Sequence, residues 1–164
     1  MKLDNLKKPF IIAEIGINHE GNFKTAKKLI FNAKMCGADA VKFQVFNPNT
    51  LASKKSKKSS FQKKSIGEES LEKMWKRLSL SFKEFEILRK YAKKIKIKFI
   101  CTAFDFESLN IVKKLKVDAI KIASSDITDV PLIEKLSKIK KPIILSTGMS
   151  KTFEIKKILK ILRK

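Results

Sequence analysis

The sequence predicts an α/β fold of about five consecutive βα units with parallel strands. Three observations predict it. Short apolar runs recur along the chain, each is followed by a stretch of helical periodicity, and the length suits one packed core. A chain of 164 residues buries roughly 70% of its unfolded surface. It falls short of the about 250 residues that a closed eight-unit (β/α) barrel typically needs.

The first strand is read at residues 10–15, entering a loop with Asn18, His19, Glu20 and Gly21. Asn22 can cap the next helix, whose apolar face is Ala26, Leu29, Ile30 and Ala33, and Gly37 supplies its stop. Residues 40–43 form the second strand. A polar segment over 47–70 follows, then a helix over 71–78. Ser81 and Glu84 make a capping box, because hydroxyl and carboxylate each satisfy an orphan amide of the other's residue. The helix they open carries Phe85, Leu88 and Ala92 on one face, with Tyr91 and Ile95 beside them. Residues 97–101 are the third strand, and Asp105 caps a short helix with Leu109 and Val112. Residues 119–123 are the fourth strand, with Pro131 near the start of a helix reaching about residue 139. Residues 143–146 are the fifth strand, and 153–164 form a basic amphipathic helix suited to packing on a sheet. The alternation shows no further repeat and no linker to a second domain.

The formal charge is +22, which raises nucleic-acid binding as a reading. Only three of the 38 basic residues are arginines, Arg77, Arg89 and Arg163, and Phe outnumbers Tyr by 12 to 1. Arginine is the usual residue for bidentate phosphate and base recognition, so this composition fits an AT-biased coding sequence better. Lysines are scattered, and the Phe residues fall at core-like positions. The densest basic run is Lys54, Lys55, Lys57, Lys58, Lys63 and Lys64, read as a solvated loop. No apolar run approaches the roughly 20 residues of a membrane span, and the N-terminus lacks the shape of a signal peptide. Cys36 and Cys101 lack metal-ligand spacing and are read as buried reduced thiols, so a cytoplasmic protein is expected.

In parallel βα folds ligands bind beyond the carboxyl ends of the strands. The strands deliver Glu14 and Asn18, then Lys42 and Gln44 on one face, then Thr102, then Lys121 with Ser124 and Asp126, then Ser146 and Thr147. Singly, each has a structural explanation: a snorkelling lysine, a helix-capping serine, an internal ion-pair partner. Jointly, two ammonium groups, several hydroxyls and a carboxylate suit a small anion such as a phosphate ester.

At these residues the sequence resembles the sialic acid synthase family, comprising N-acetylneuraminate synthase and its legionaminic and pseudaminic acid relatives. The stretches that carry the resemblance are IIAEIGINHEGNFKTAKKLI (11–30), GADAVKFQVF (37–46), FICTAFDFESL (99–109), VDAIKIASSDITDVPLI (117–133) and KPIILSTGM (141–149). They run colinearly from about Pro9 to the end of the chain. The resemblance implies a TIM (β/α)₈-type barrel of which residues 1–164 are the N-terminal portion, about five units. The later barrel strands and a C-terminal antifreeze-like domain would lie outside this chain.

The implied reaction condenses phosphoenolpyruvate with an N-acylated amino sugar to a nine-carbon 2-keto sugar acid, releasing phosphate. By motif, Lys42, Gln44, Thr102, Lys121, Ser124 and Ser146 fall at phosphoenolpyruvate-contacting positions. Glu14 and Lys121 fall at catalytic positions, and Asp126 at an acidic position facing the sugar. The family's divalent metal, Mn²⁺ or Mg²⁺, is expected to take its ligands outside these residues. Ser125 stands where many relatives have Gly, and His19 is read as structuring its loop. An open five-stranded sheet exposes two edges, so self-association or pairing with a complementary C-terminal fragment is expected. A half-barrel that binds phosphoenolpyruvate or phosphate without catalysis is the alternative, and a nucleic-acid-binding protein ranks last.

Overall fold

Apolar runs buried on both faces build a parallel sheet. In the computed structural model, which describes residues 8–51 and 69–163, the strands are β1 (Ile12–Gly16), β2 (Ala40–Val45), β3 (Lys98–Ala103), β4 (Ala119–Ile122) and β5 (Ile143–Leu145). All pairs are parallel and the strand order follows the chain. The helices are α1 (Phe23–Met35), α2 (Leu71–Leu78), α3 (Phe82–Lys94), α4 (Phe106–Leu115), α5 (Val130–Ser137) and α6 (Thr152–Leu162). These are five consecutive units of a TIM-type barrel, with β1 and β5 outermost in the described sheet. The basic run over 54–64 lies outside the described residues, and among those described no helix is long and apolar enough to cross a membrane.

The two faces of the sheet differ. Val41, Phe43, Val45, Phe99, Cys101, Ile120 and Ile122 form the main core with Ile30 of α1, Leu88 of α3, Val112 of α4 and Ile133 of α5. The opposite face has a small apolar floor of Ala40, Ile100 and Ala119, flanked by Phe10, Ile12 and Ile144. A third cluster, Phe46, Met74 and Leu78 with Ile17, Trp75 and Phe104, seats α2 over the ends of β1 to β3. Gly21 belongs to that contact: its φ is +73°, and a Cβ there would stand 1.9 Å from the Arg77 carbonyl oxygen.

Local chemistry sets the helix ends as the sequence predicts. Asn22 accepts the Thr25 amide at 2.9 Å. Gly37, at φ +82°, closes α1, with the Gly37 amide donating to Lys34 and the Ala38 amide to Ala33. In the capping box the Ser81 hydroxyl accepts the Glu84 amide and the Glu84 carboxylate accepts the Ser81 amide. Replacing Ser81 with alanine is expected to cost about 1 kcal/mol of stability in urea denaturation, with the slope of the transition unchanged.

Several boundaries differ from the sequence expectation. β2 and β3 run on to Val45 and Ala103, so Gln44 and Thr102 lie inside strands rather than beyond them. β4 ends at Ile122 because Ser124–Asp126 turns into one 3₁₀ turn. β5 stops at Leu145, leaving Ser146 as the first residue past it. Cys101 is buried as expected, and burial pushes its thiol pKa far up. Cys36 is exposed, contrary to expectation, because it is the C-cap where α1 leaves the sheet. Phe31, Phe106 and Phe153 are also exposed, so not every Phe is a core residue.

Candidate anion site on the open face of the sheet

Side chains on a strand alternate between faces. Val41, Phe43 and Val45 go to the helices, which leaves Lys42 and Gln44 on the opposite face above the apolar floor. Glu14 pairs with Lys42 across β1 and β2, and Gln44, Thr102 and Lys121 pair in one row across β2, β3 and β4. Lys42 Nζ lies 2.7 Å from Glu14 Oε2. Lys42 is only 7% exposed, and among the described residues its charge is paired with this one carboxylate. Glu14 itself is mostly solvent-exposed. Between Glu14 and Gly16 the register shifts, bringing Gly16 opposite Phe43. Bulges of this kind recur beside active sites, where they re-aim a side chain. A Cβ on Gly16 would lie 3.8 Å from Gln44 Nε2, so the glycine leaves the amide room.

Lys121 donates from Nζ to the Ile122 carbonyl at 2.7 Å. Burial lowers its pKa first and the positive charge of Lys42 lowers it further, against the raising influence of Glu14 and Asp126. Two ammonium groups that disfavour one another, only one of them in contact with Glu14, make a face that gains from an incoming anion. Thr102 is buried in the same row. Ser124 opens the 3₁₀ turn that follows β4, and Asp126 ends it. Asp126 Oδ1 accepts the Ser125 hydroxyl at 2.9 Å, whereas Oδ2 is buried with no hydrogen-bond partner among the described residues. Burial raises the pKa of this carboxyl, and Asp129 raises it further. Ser146 donates its amide to the Ile122 carbonyl at 3.1 Å, which holds the end of β5 against β4.

The predicted residues therefore fall into three groups. Glu14 and Lys42 touch. Gln44, Thr102 and Lys121 are aligned by register. Ser124, Asp126 and Ser146 stand on the loops just beyond β4 and β5. His19 is 1% exposed, accepts the Gly21 amide at Nδ1 and stacks on Phe43 with ring centroids 5.9 Å apart. That is the loop-structuring role its position predicts, on the helix side of the sheet.

The sequence reading missed one repeat. Asp-Ala-Val-Lys-Phe (39–43) and Asp-Ala-Ile-Lys-Ile (118–122) share a pattern, and each places its lysine on the open face. Comparing strands with one another, rather than reading each alone, would have found it.

Among the described residues no three His, Cys, Asp or Glu side chains are grouped so that they could hold a metal ion. The donors nearest the site centre are ammonium groups, which repel cations. The residues present do not fit the divalent metal that the resemblance implies, and none of them is given a metal-binding role.

Comparison with known proteins gives a consistent result. Over 93% of its length the chain is 45% identical to an uncharacterised protein of Methanocaldococcus jannaschii, and it covers 42% of that protein. Over 97% of its length it is 43% identical to the N,N'-diacetyllegionaminic acid synthase of Campylobacter jejuni, covering 48% of it. Among solved structures, the N-acetylneuraminic acid (sialic acid) synthetase of Leptospira borgpetersenii, crystallised with citrate, matches with a TM-score of 0.81 and 30% identity. That match covers 99% of this chain and 54% of the other. The chain thus spans about half the length, or less, of these relatives. The NeuB family matches residues 29–164. With that match covering most of the sequence, and with the colinear motifs along it, the chain belongs to the NeuB family.

Proposed function

We propose that this chain carries the phosphoenolpyruvate-binding part of a sialic acid-type synthase, the enzyme that condenses phosphoenolpyruvate with an N-acylated amino sugar. The observation that carries this reading is the polar row on the open face. Gln44, Thr102 and Lys121 stand in register across β2, β3 and β4, and Lys42 lies two residues before Gln44 on the same face of β2, beside the apolar floor.

In the reaction, C3 of phosphoenolpyruvate bonds to the aldehyde carbon of the acceptor, water adds at C2, and inorganic phosphate leaves. The two ammonium groups neutralise phosphate and carboxylate charge, and hold it as charge shifts in the transition state. The Thr102, Ser124 and Ser146 hydroxyls and the Gln44 amide supply directed donors that fix the orientation of the enol. Glu14, salt-bridged to Lys42 yet open to solvent, serves on this reading as the base that takes a proton from the water adding at C2. Asp126, with one carboxylate oxygen unpartnered among the described residues, is on this reading the acceptor for a sugar hydroxyl. On this reading the ligands of the family's metal and the rest of the sugar site are not among the described residues. The free edges of β1 and β5 would pair with that remainder, in a longer chain, a second copy or a complementary fragment.

Calorimetric titration of the purified chain with phosphoenolpyruvate is expected to give saturable binding, and pyruvate, which lacks the phosphate, to bind more weakly. A flat titration would overturn the reading. The same chain with phosphoenolpyruvate, N-acetylmannosamine and Mn²⁺ is expected to form no nine-carbon acid. Product formation would show that the acceptor and metal sites are already complete here.

A further inference from the structure

Asp39 and Asp118 occupy the same place in two βα units, each one residue ahead of its strand. Each closes the same two-bond ring with the strand before it. The Asp39 amide donates to the Ile11 carbonyl at 2.9 Å, and the Ile11 amide donates back to Asp39 Oδ2 at 2.8 Å. The Asp118 amide donates to the Phe99 carbonyl at 2.9 Å, and the Phe99 amide donates back to Asp118 Oδ2 at 2.9 Å. Three residues further on, each strand presents its lysine, Lys42 or Lys121, on the open face.

A parallel ladder made only of backbone bonds repeats every two residues. A slip of two would keep every side chain on its face while changing its height. A carboxylate that accepts one particular amide removes that freedom. Asp118 is held more firmly than Asp39: its Oδ2 lies 3.3 Å from Arg89 Nη2 of α3, and its Oδ1 lies 3.8 Å from Lys98 Nζ. The ring is thereby tied to the helix layer as well as to β3.

We propose that Asp39 and Asp118 are positioning residues for the anion site, fixing the height at which Lys42 meets Glu14 and Lys121 meets Thr102. This rests on the reading of Lys42 and Lys121 as phosphoenolpyruvate ligands and deepens it. Asp118→Ala is expected to weaken phosphoenolpyruvate binding on the order of tenfold, as when a charge-assisted contact is misaligned. Asp118→Asn, whose amide oxygen still accepts the Phe99 amide, is expected to stay within about twofold of the parent, since acceptance of that bond survives. Ser81→Ala, which lowers stability away from the site, is expected to leave affinity unchanged.

A ligand-free readout separates this inference from the functional one. Trinitrobenzenesulfonate labelling, read by mass spectrometry as a function of pH, reports each lysine's own titration. In the parent chain and in Ser81→Ala, Lys121 is expected to label at lower pH than exposed lysines. In Asp118→Ala its profile should move toward theirs. If the parent binds no phosphoenolpyruvate, the functional reading fails and labelling alone decides the clamp. An unchanged Lys121 profile and affinity in Asp118→Ala would overturn the proposal. So would Asp118→Asn losing as much as Asp118→Ala, which would assign the effect to the charge facing Arg89. Should Asp118→Ala fail to fold by circular dichroism, Asp39→Ala replaces it, read by the extent of Lys42 labelling at one fixed pH, which is expected to rise because Lys42 is buried in the parent. An unchanged extent of Lys42 labelling in that variant would overturn the proposal equally.

Discussion

Replacing Lys121 with alanine is expected to weaken phosphoenolpyruvate binding by about 1.5–3 kcal/mol, the usual worth of a hydrogen bond to a charged group. That corresponds to a loss of roughly 10- to 150-fold in affinity by calorimetry. The substitution removes one of two ammonium groups, and the remaining one, Lys42, is already paired with Glu14 at 2.7 Å. Unchanged affinity would remove Lys121 from the site.

The pH dependence carries the same information. The Lys121 pKa lies below its ordinary value of 10.5, chiefly through burial. Affinity is therefore expected to fall with rising pH from a lower pH than an exposed lysine would give. Stability moves the other way. Between the lowered folded pKa and the higher unfolded one the unfolded chain binds more protons, so this group's contribution to stability rises with pH there. The charge that draws the anion is thus a cost to the empty fold at neutral pH, and a bound phosphate relieves it.

Phe43→Ala is expected to cost about 3–5 kcal/mol, as large-to-small changes at buried aromatics do. That is a large part of the about 5–15 kcal/mol that holds a domain together. Phe43 is fully buried. It stacks on Phe99 with centroids 5.0 Å apart, meets Phe85 edge-on at 6.1 Å, and supports His19 at 5.9 Å. Urea denaturation measures the loss, and a change below about 1 kcal/mol would show a site able to collapse around the deletion. Phe43 also lies between Lys42 and Gln44 on β2. The loss is therefore expected to reach function, with weaker phosphoenolpyruvate binding even where the variant remains folded.

Much of the fold was legible because the signals are local. Asn22, Gly37, Ser81 with Glu84, and Asp105 act on amides and carbonyls within a turn of themselves, and the structure keeps every one of these ends. The strands were legible as apolar runs, but their lengths were not. Gln44 and Thr102 fall one residue past the ends read for the second and third strands, yet they pair inside β2 and β3 because neighbouring strands offer them ladder partners. Cys36 looked buried because its neighbours in sequence are apolar, and it is exposed because the helix end carries it outward.

The candidate site divides in the same way. Which residues reach the open face follows from alternation alone, so Lys42, Gln44, Thr102 and Lys121 could be grouped without coordinates. The amino-acid sequence by itself thus determined the βα alternation, the helix ends, the face each polar residue takes and, through its motifs, the family. Only the tertiary structure decided which groups stand at the same height: the Glu14–Lys42 ion pair, the register shift before Gly16, and the aspartate rings that repeat at Ile11 and Phe99. The physical reason is range. Helix periodicity and capping act over three or four residues. Strand register is set between residues 28 and 19 apart in the chain, by hydrogen bonds that exist only once the strands lie side by side.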